Sequence, residues 1–142
     1  MSDIPMSKRR TLEQERAKGA WDNIKAVEDV QKDQEKVRKK YGTFARRLPS
    51  MIQINGLGST LAFLQSKGKN NQGDGHTLLY DHVGRWVTQR MTGDSQDIMN
   101  YIRDCTTDQY RRATAEAVAY GIWIKRYVES KADAWGLKEN ED

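Results

Sequence analysis

A chain of 142 residues, 37% hydrophobic and 31% charged, has room for one domain with one core and must show a large polar surface. Its single cysteine, Cys105, excludes an internal disulfide. No apolar run is long enough to span a bilayer, and the polar stretch Met1–Arg10 lacks a signal peptide's apolar core, so a soluble, cytoplasmic protein is expected. The net charge of +4 is unevenly placed, with +5 in residues 1–50 and −1 in residues 51–142, an asymmetry that suggests a polyanionic partner, nucleic acid before anionic lipid.

Residues 1–10 read as a flexible N-terminus. From Thr11 to about Gln31, Ala17, Ala20, Trp21, Ile24 and Val27 follow a three-to-four spacing that predicts a helix, with Thr11 and Ser7 as candidate caps. Lys32-Asp33-Gln34 is a break or a continuous turn. Val37, Tyr41, Phe44 and Leu48 then repeat at the same spacing, predicting a second helix that ends near Pro49. Lys36, Lys39, Lys40, Arg46 and Arg47 fall away from that stripe, on its outer face.

Met51–Gly56 is ambiguous between a short helix and a connector. Gly56-Leu57-Gly58-Ser59-Thr60 opens a helix over Thr60–Lys67, with Leu61, Phe63 and Leu64 apolar. The glycine-rich run 68–75 predicts a mobile loop. A helix from about Gly75 to Met91 carries the stripe Leu78, Leu79, His82, Val83, Trp86 and Val87, and a short one runs from Ser95 to Asp104. Thr106 and Gln109 have capping-box spacing and start a last helix reaching about Trp135. The acidic residues 137–142 read as a frayed tail. The whole is an all-α, single-domain, compact bundle of five to seven helices, with its helical domain over 11–136.

Catalytic and metal chemistry find little support. His76 and His82 are six apart, a spacing that does not align two ligands on one helical face, and Cys105 has no partner at metal-binding spacing, so no metal and no cofactor are expected. A Cys105–His82 dyad competes with a simpler reading of both as packed residues. The Gly56–Thr60 segment lacks the Lys of a phosphate loop; its glycines fit a close helix–helix approach better. The acidic pairs Glu28/Asp29, Asp94/Asp97 and Asp104/Asp108 fall near helix ends, where carboxylates cap or meet the dipole. A non-enzymatic protein is expected.

The positive signal is the run Lys36, Arg38, Lys39, Lys40, Arg46 and Arg47, whose spacing suits a phosphate backbone, although a solvated helical face fits the same charges. Contacts of this type position a strand without reading its sequence. Lys67, Arg111, Arg112, Lys125 and Arg126 add separate cations. Trp21, Tyr41, Phe44, Phe63, Trp86, Tyr110, Tyr120 and Tyr127 lie mostly on apolar stripes and read as core, so backbone contact without base stacking is expected.

Two stretches, with the N-terminal Thr11–Ala17, carry a family resemblance. One is Leu48-Pro49, Asn55-Gly56-Leu57-Gly58, Ala62-Phe63-Leu64 and Lys67; the other is Ala113, Glu116-Ala117 and Trp123-Ile124-Lys125-Arg126-Tyr127. Over roughly Thr11 to Lys131 the chain resembles the Cmr small subunit of type III-B CRISPR systems. The resemblance implies a small helical protein with no catalytic centre. Copies would stack head to tail as a minor filament beside the backbone repeat subunits, between a large subunit and a capping subunit. That filament would line the channel where guide RNA pairs with target RNA, in defence against foreign nucleic acid. By position in these motifs Lys67, Lys125 and Arg126 are the first candidates for contact with the RNA backbone. Lys36, Lys39, Lys40, Arg46 and Arg47 join them on charge alone, and Arg112 is a further inclusion. The readings from other classes are a free-standing RNA- or DNA-binding helical module, an all-α enzyme using His82 or Cys105, and a purely structural filament protein.

Overall fold

Thr11 ends the extended approach to the first helix: its hydroxyl accepts from the Gln14 amide while the Gln14 side chain accepts from the Thr11 amide. This reciprocal cap starts α1 (Leu12–Glu28) in a computed structural model that describes residues 10–138. The flexible N-terminus expected over 1–10 and the frayed tail expected over 137–142 lie, apart from Arg10, Leu137 and Lys138, outside the described residues. Asp33, at φ 54°, breaks the chain before α2 (Gln34–Ala45). There follow α3 (Leu48–Asn55), α4 (Leu57–Gly68), α5 (Gly75–Thr92), α6 (Ile98–Asp104) and α7 (Thr107–Ser130). The described residues thus form seven helices and no strand, an all-α bundle as the periodicity predicts.

Several boundaries differ from the expectation for local reasons. Pro49 does not stop a helix; it occupies the first turn of α3, where its missing N–H costs nothing. Gly56, at φ 91°, turns the chain into α4 three residues before Thr60. Gly68 and Gly75 are both helical, so the intervening loop is only residues 69–74, with Asp74 capping α5. Finally, α7 ends at Ser130 rather than Trp135. The chain reverses through turns over residues 131–136 and lays Trp135 back on the core, its indole N–H donating to Glu28 Oε2 at 3.3 Å.

The two long helices α5 and α7 pack on each other and form the centre; α1 and α3 pack on α7, and α2 and α4 on α5. From α7, Ala113, Ala117, Tyr120, Ile124 and Val128 are fully buried. Trp86 of α5 stacks flat on Tyr120, ring centres 4.5 Å apart. Gly19 admits this pair, because a Cβ there would stand 2.7 Å from the Trp86 ring. Glu116 is the one charged residue in that buried stripe. Its carboxylate accepts two 2.8 Å bonds from the Arg16 guanidinium and one of 2.9 Å from the Trp86 indole N–H, joining α1, α5 and α7. Burial raises the Glu116 pKa, but the bonds from Arg16 and Trp86 outweigh it and leave the pKa below the ordinary value.

Candidate nucleic-acid interface

The basic face begins on α2. Val37, Tyr41, Phe44 and Ala45 point into the core, which leaves Lys36, Lys39 and Lys40 outward. Lys36 makes no ion pair among the described residues, whereas Lys39 reaches Glu35 at 3.1 Å and Lys40 reaches Asp74 at 2.9 Å. Arg47 is exposed and likewise has no ion pair among the described residues. Arg46 is half-buried and donates to the Lys138 carbonyl. A depression of about 340 Å³ lies between the end of α2 and the returning chain, lined by Lys39, Thr43, Arg46, Arg47, Gly136, Leu137 and Lys138.

Lys67 joins this face through an aromatic bridge. Lys39 and Lys40 share a second, smaller depression with Thr43, Phe44 and His76. Phe44 stacks on Phe63 at 5.5 Å, and the Lys67 ammonium lies 5.6 Å from the Phe63 ring centre. Phe63 is 43% exposed and Trp21 38% exposed. These two aromatics are thus more exposed than core residues, although their spacing places them in the core; Phe63 stacks on Phe44 and Trp21 meets Tyr127 edge to face at 5.2 Å.

Lys125 and Arg126 meet the same end of the molecule from α7. Leu48 and Pro49 seat against Gly121, so the start of α3 lies along α7, and Pro49, Lys125 and Arg126 line one depression of about 410 Å³ with Ile122 and Glu129. Arg47 is two residues from Pro49. Arg126 is oriented by Trp123: its guanidinium lies 5.1 Å from the ring centre, while the Trp123 indole N–H donates to Glu13 Oε2 at 3.0 Å.

Arg112 is not part of this group. It pairs with Asp108 at 3.4 Å in the first half of α7, about 20 Å along the axis from Lys125 at the α-helical rise. Arg38, counted in the basic run, has a structural partner: it donates to the Glu28 carbonyl at 2.8 Å and closes the end of α1.

The residues considered for catalysis are engaged elsewhere. The Tyr41 hydroxyl and His82 Nδ1 are 2.7 Å apart. Burial, with a smaller contribution from Arg85, brings the His82 pKa down to about 4, so the ring is neutral near pH 7. Cys105 Sγ lies 3.6 Å from the Ile102 carbonyl. The Gly56–Gly58 pair receives Tyr110, whose hydroxyl accepts from the Gly58 N–H at 3.0 Å. A Cβ on Gly56 or Gly58 would meet the Tyr110 hydroxyl only at 3.7 or 3.5 Å, an ordinary contact, so these glycines do not serve the close helix–helix approach expected of them; Gly56 instead supplies the positive φ that turns the chain into α4. Among the described residues no three His, Cys, Asp or Glu side chains are grouped to hold a metal, and no helix is long and apolar enough to cross a membrane.

The family model described as "CRISPR-associated protein (Cas_Cmr5)" matches residues 12–131. The chain belongs to the Cmr5 family. "CRISPR system Cmr subunit Cmr5" of Thermotoga maritima is 33% identical over 141 residues, covering 97% of this chain and 95% of that protein. The protein of the same description from Thermus thermophilus is 30% identical over 109 residues, covering 71% of this chain and 90% of that one. A crystal structure of a CRISPR-associated Cmr5 family protein, also from Thermus thermophilus, superimposes with a TM-score of 0.67 at 26% identity, covering 85% of this chain and 97% of that one. The resemblance to the Cmr small subunit is thereby borne out. The Cmr5 motif residues also acquire physical roles: Arg16 and Glu116 lock α1 to α7, Gly58 seats Tyr110, and Trp123 positions Arg126.

Proposed function

We propose that the chain is the non-catalytic small subunit of a type III-B CRISPR effector complex in the cytoplasm. Copies stack head to tail as a minor filament, in contact with the backbone repeat subunits and, at its ends, the large and capping subunits. The basic face holds the guide and target RNA backbone, with base pairing reading the sequence. Lys36, Arg47, Lys67, Lys125 and Arg126 carry this contact; Lys39, Lys40 and Arg46, each with a partner within the chain, contribute charge, and Arg112 stands apart. The observation that carries the reading is that cations separated by up to 90 residues in sequence share one end of the bundle within a Cmr5-family chain.

The test is target-RNA binding by the reconstituted complex with Lys67, Lys125 and Arg126 reversed to Glu, across a salt series. Preserved assembly, weaker binding on every RNA sequence and a salt slope shallower by about 0.7 per lost contact support the reading. Unchanged binding with assembly intact removes it in favour of a purely structural filament subunit.

A further inference from the structure

A row of aromatic rings lies along the seam of α1 and α7, outside the buried core. Trp21 of α1 meets Tyr127 of α7 edge to face at 5.2 Å, and Tyr127 meets Trp123, one helical turn earlier, at 5.8 Å. Trp21 is 38% exposed, and Trp123 and Tyr127 are half-buried. Cations sit at both ends of the row. The Arg126 guanidinium lies 5.1 Å from the Trp123 ring centre, and the Lys131 and Lys25 ammonium groups lie 5.1 and 5.9 Å from that of Trp21. From residue 123 to residue 131 the row runs about 12 Å along α7. Three of the acids beside it are engaged within the chain: Glu13 by Arg16 and the Trp123 indole, Asp22 by Lys18, and Glu28 by Lys25 and Lys131. Glu129 is exposed beside Lys125 and Arg126. Arg126 also lines the depression of Pro49 and Lys125, so the basic face leads directly onto the aromatic row.

We propose that Trp21, Tyr127 and Trp123 form a stacking site for unpaired bases of single-stranded RNA, with Arg126, Lys25 and Lys131 holding the flanking phosphates. Interleaved aromatics and cations are what such a strand requires, and stacking is indifferent to base identity because every base has a π-face. A base takes the ring face beside which an ammonium lies, and that ammonium, on its flexible stem, turns to the adjoining phosphate. The site rests on the RNA-binding function proposed above and adds base contact to a surface whose sequence predicts backbone contact alone.

The experiment titrates the full chain with a 12-nucleotide oligouridylate and with an abasic ribose-phosphate strand of the same length and charge, at 50 and 300 mM salt. Anisotropy of an end label gives the affinity, and intrinsic tryptophan emission reports stacking. The oligouridylate should bind about five- to tenfold more tightly than the abasic strand and quench the emission. Both affinities fall as salt rises, whereas their ratio persists. Trp21→Phe keeps the ratio with less quenching, and Trp21→Leu with Trp123→Leu brings it to one. The comparison of strands on the wild type and on Trp21→Phe decides the matter even if the leucine chain does not fold. Equal affinity for the two strands, or a ratio that survives both leucine substitutions, overturns the stacking site and leaves the backbone contact standing. No binding of either strand overturns it as well, and the reconstituted-complex assay above then decides the function on its own. Leucine variants that bind both strands as the wild type does, yet no longer enter the complex, assign the row to a protein neighbour instead.

Discussion

Glu116 concentrates the residue-scale physics of this fold. A carboxylate on the buried stripe of a central helix is tolerated only because Arg16 meets it with two bonds and Trp86 with a third. Glu116→Ala leaves the partly buried Arg16 guanidinium with Glu13 as its remaining carboxylate partner and is expected to cost about 2 kcal/mol in urea unfolding. Because the folded-state pKa of Glu116 is depressed, its contribution is complete above the unfolded value near 4.3 and disappears as pH falls through the lower folded value. The stability gap between the wild type and Glu116→Gln should therefore narrow below about pH 4. His82 acts at higher pH. With the folded pKa at about 4 against an ordinary 6.5, its neutral form stabilises the fold fully above about pH 6.5, and that contribution is lost as pH falls towards 4. His82→Gln, which still offers Tyr41 a hydrogen-bond partner, should flatten the unfolding free energy across this window; an unchanged slope would place the titration elsewhere. Neither residue announces its role in the sequence. Glu116 looks like any solvent-facing acid until α1 is placed beside it, since Arg16 lies 100 positions away.

At the scale of elements, caps and close approaches set the geometry. Thr106 and Gln109 form the reciprocal cap that their spacing predicts, and Thr106→Ala should cost about 1 kcal/mol in thermal unfolding. Gly75 makes the tightest approach to another helix's backbone: a Cβ there would stand 2.5 Å from the Val37 carbonyl oxygen and 2.8 Å from the Tyr41 nitrogen. These are backbone atoms that no rotamer change can move. Gly75→Ala must separate α2 from α5 and is expected to lower stability by about 2 kcal/mol, whereas a value near zero would show that the helices shift freely. The long helices were legible because their apolar spacing persists over several turns. Their ends were less so. Val128, Ala132 and Trp135 continue the helical spacing past Ser130, yet Trp135 reaches the core by chain reversal, with Gly136 at φ 67°. A periodic pattern cannot distinguish those two routes to burial. Pro49 was misread for a related reason, since a proline marks a helix boundary without saying on which side the helix lies.

Over the whole molecule, the basic run on α2 and the motif cations Lys67, Lys125 and Arg126 were visible in the sequence as separate signals. The sequence does not reveal that Phe44 and Phe63 bridge the first pair of elements or that Pro49 and Gly121 bring α3 alongside α7. Nor does charge alone separate a cation bound within the fold from one left for a partner. Arg38 and Arg47 make that distinction measurable. Arg38→Glu should lower stability by about 1–3 kcal/mol through loss of its bond to the end of α1. Arg47→Glu should leave stability within about 0.5 kcal/mol and weaken RNA binding alone. The most direct test of the RNA-holding face is photo-cross-linking of a 4-thiouridine target RNA in the reconstituted complex, with the attached peptides mapped by mass spectrometry. Cross-links should fall in the segments around residues 36–47, 63–67 and 123–126. Cross-links confined to α6 and the Arg112 end of α7, or none to this subunit, would contradict the assignment.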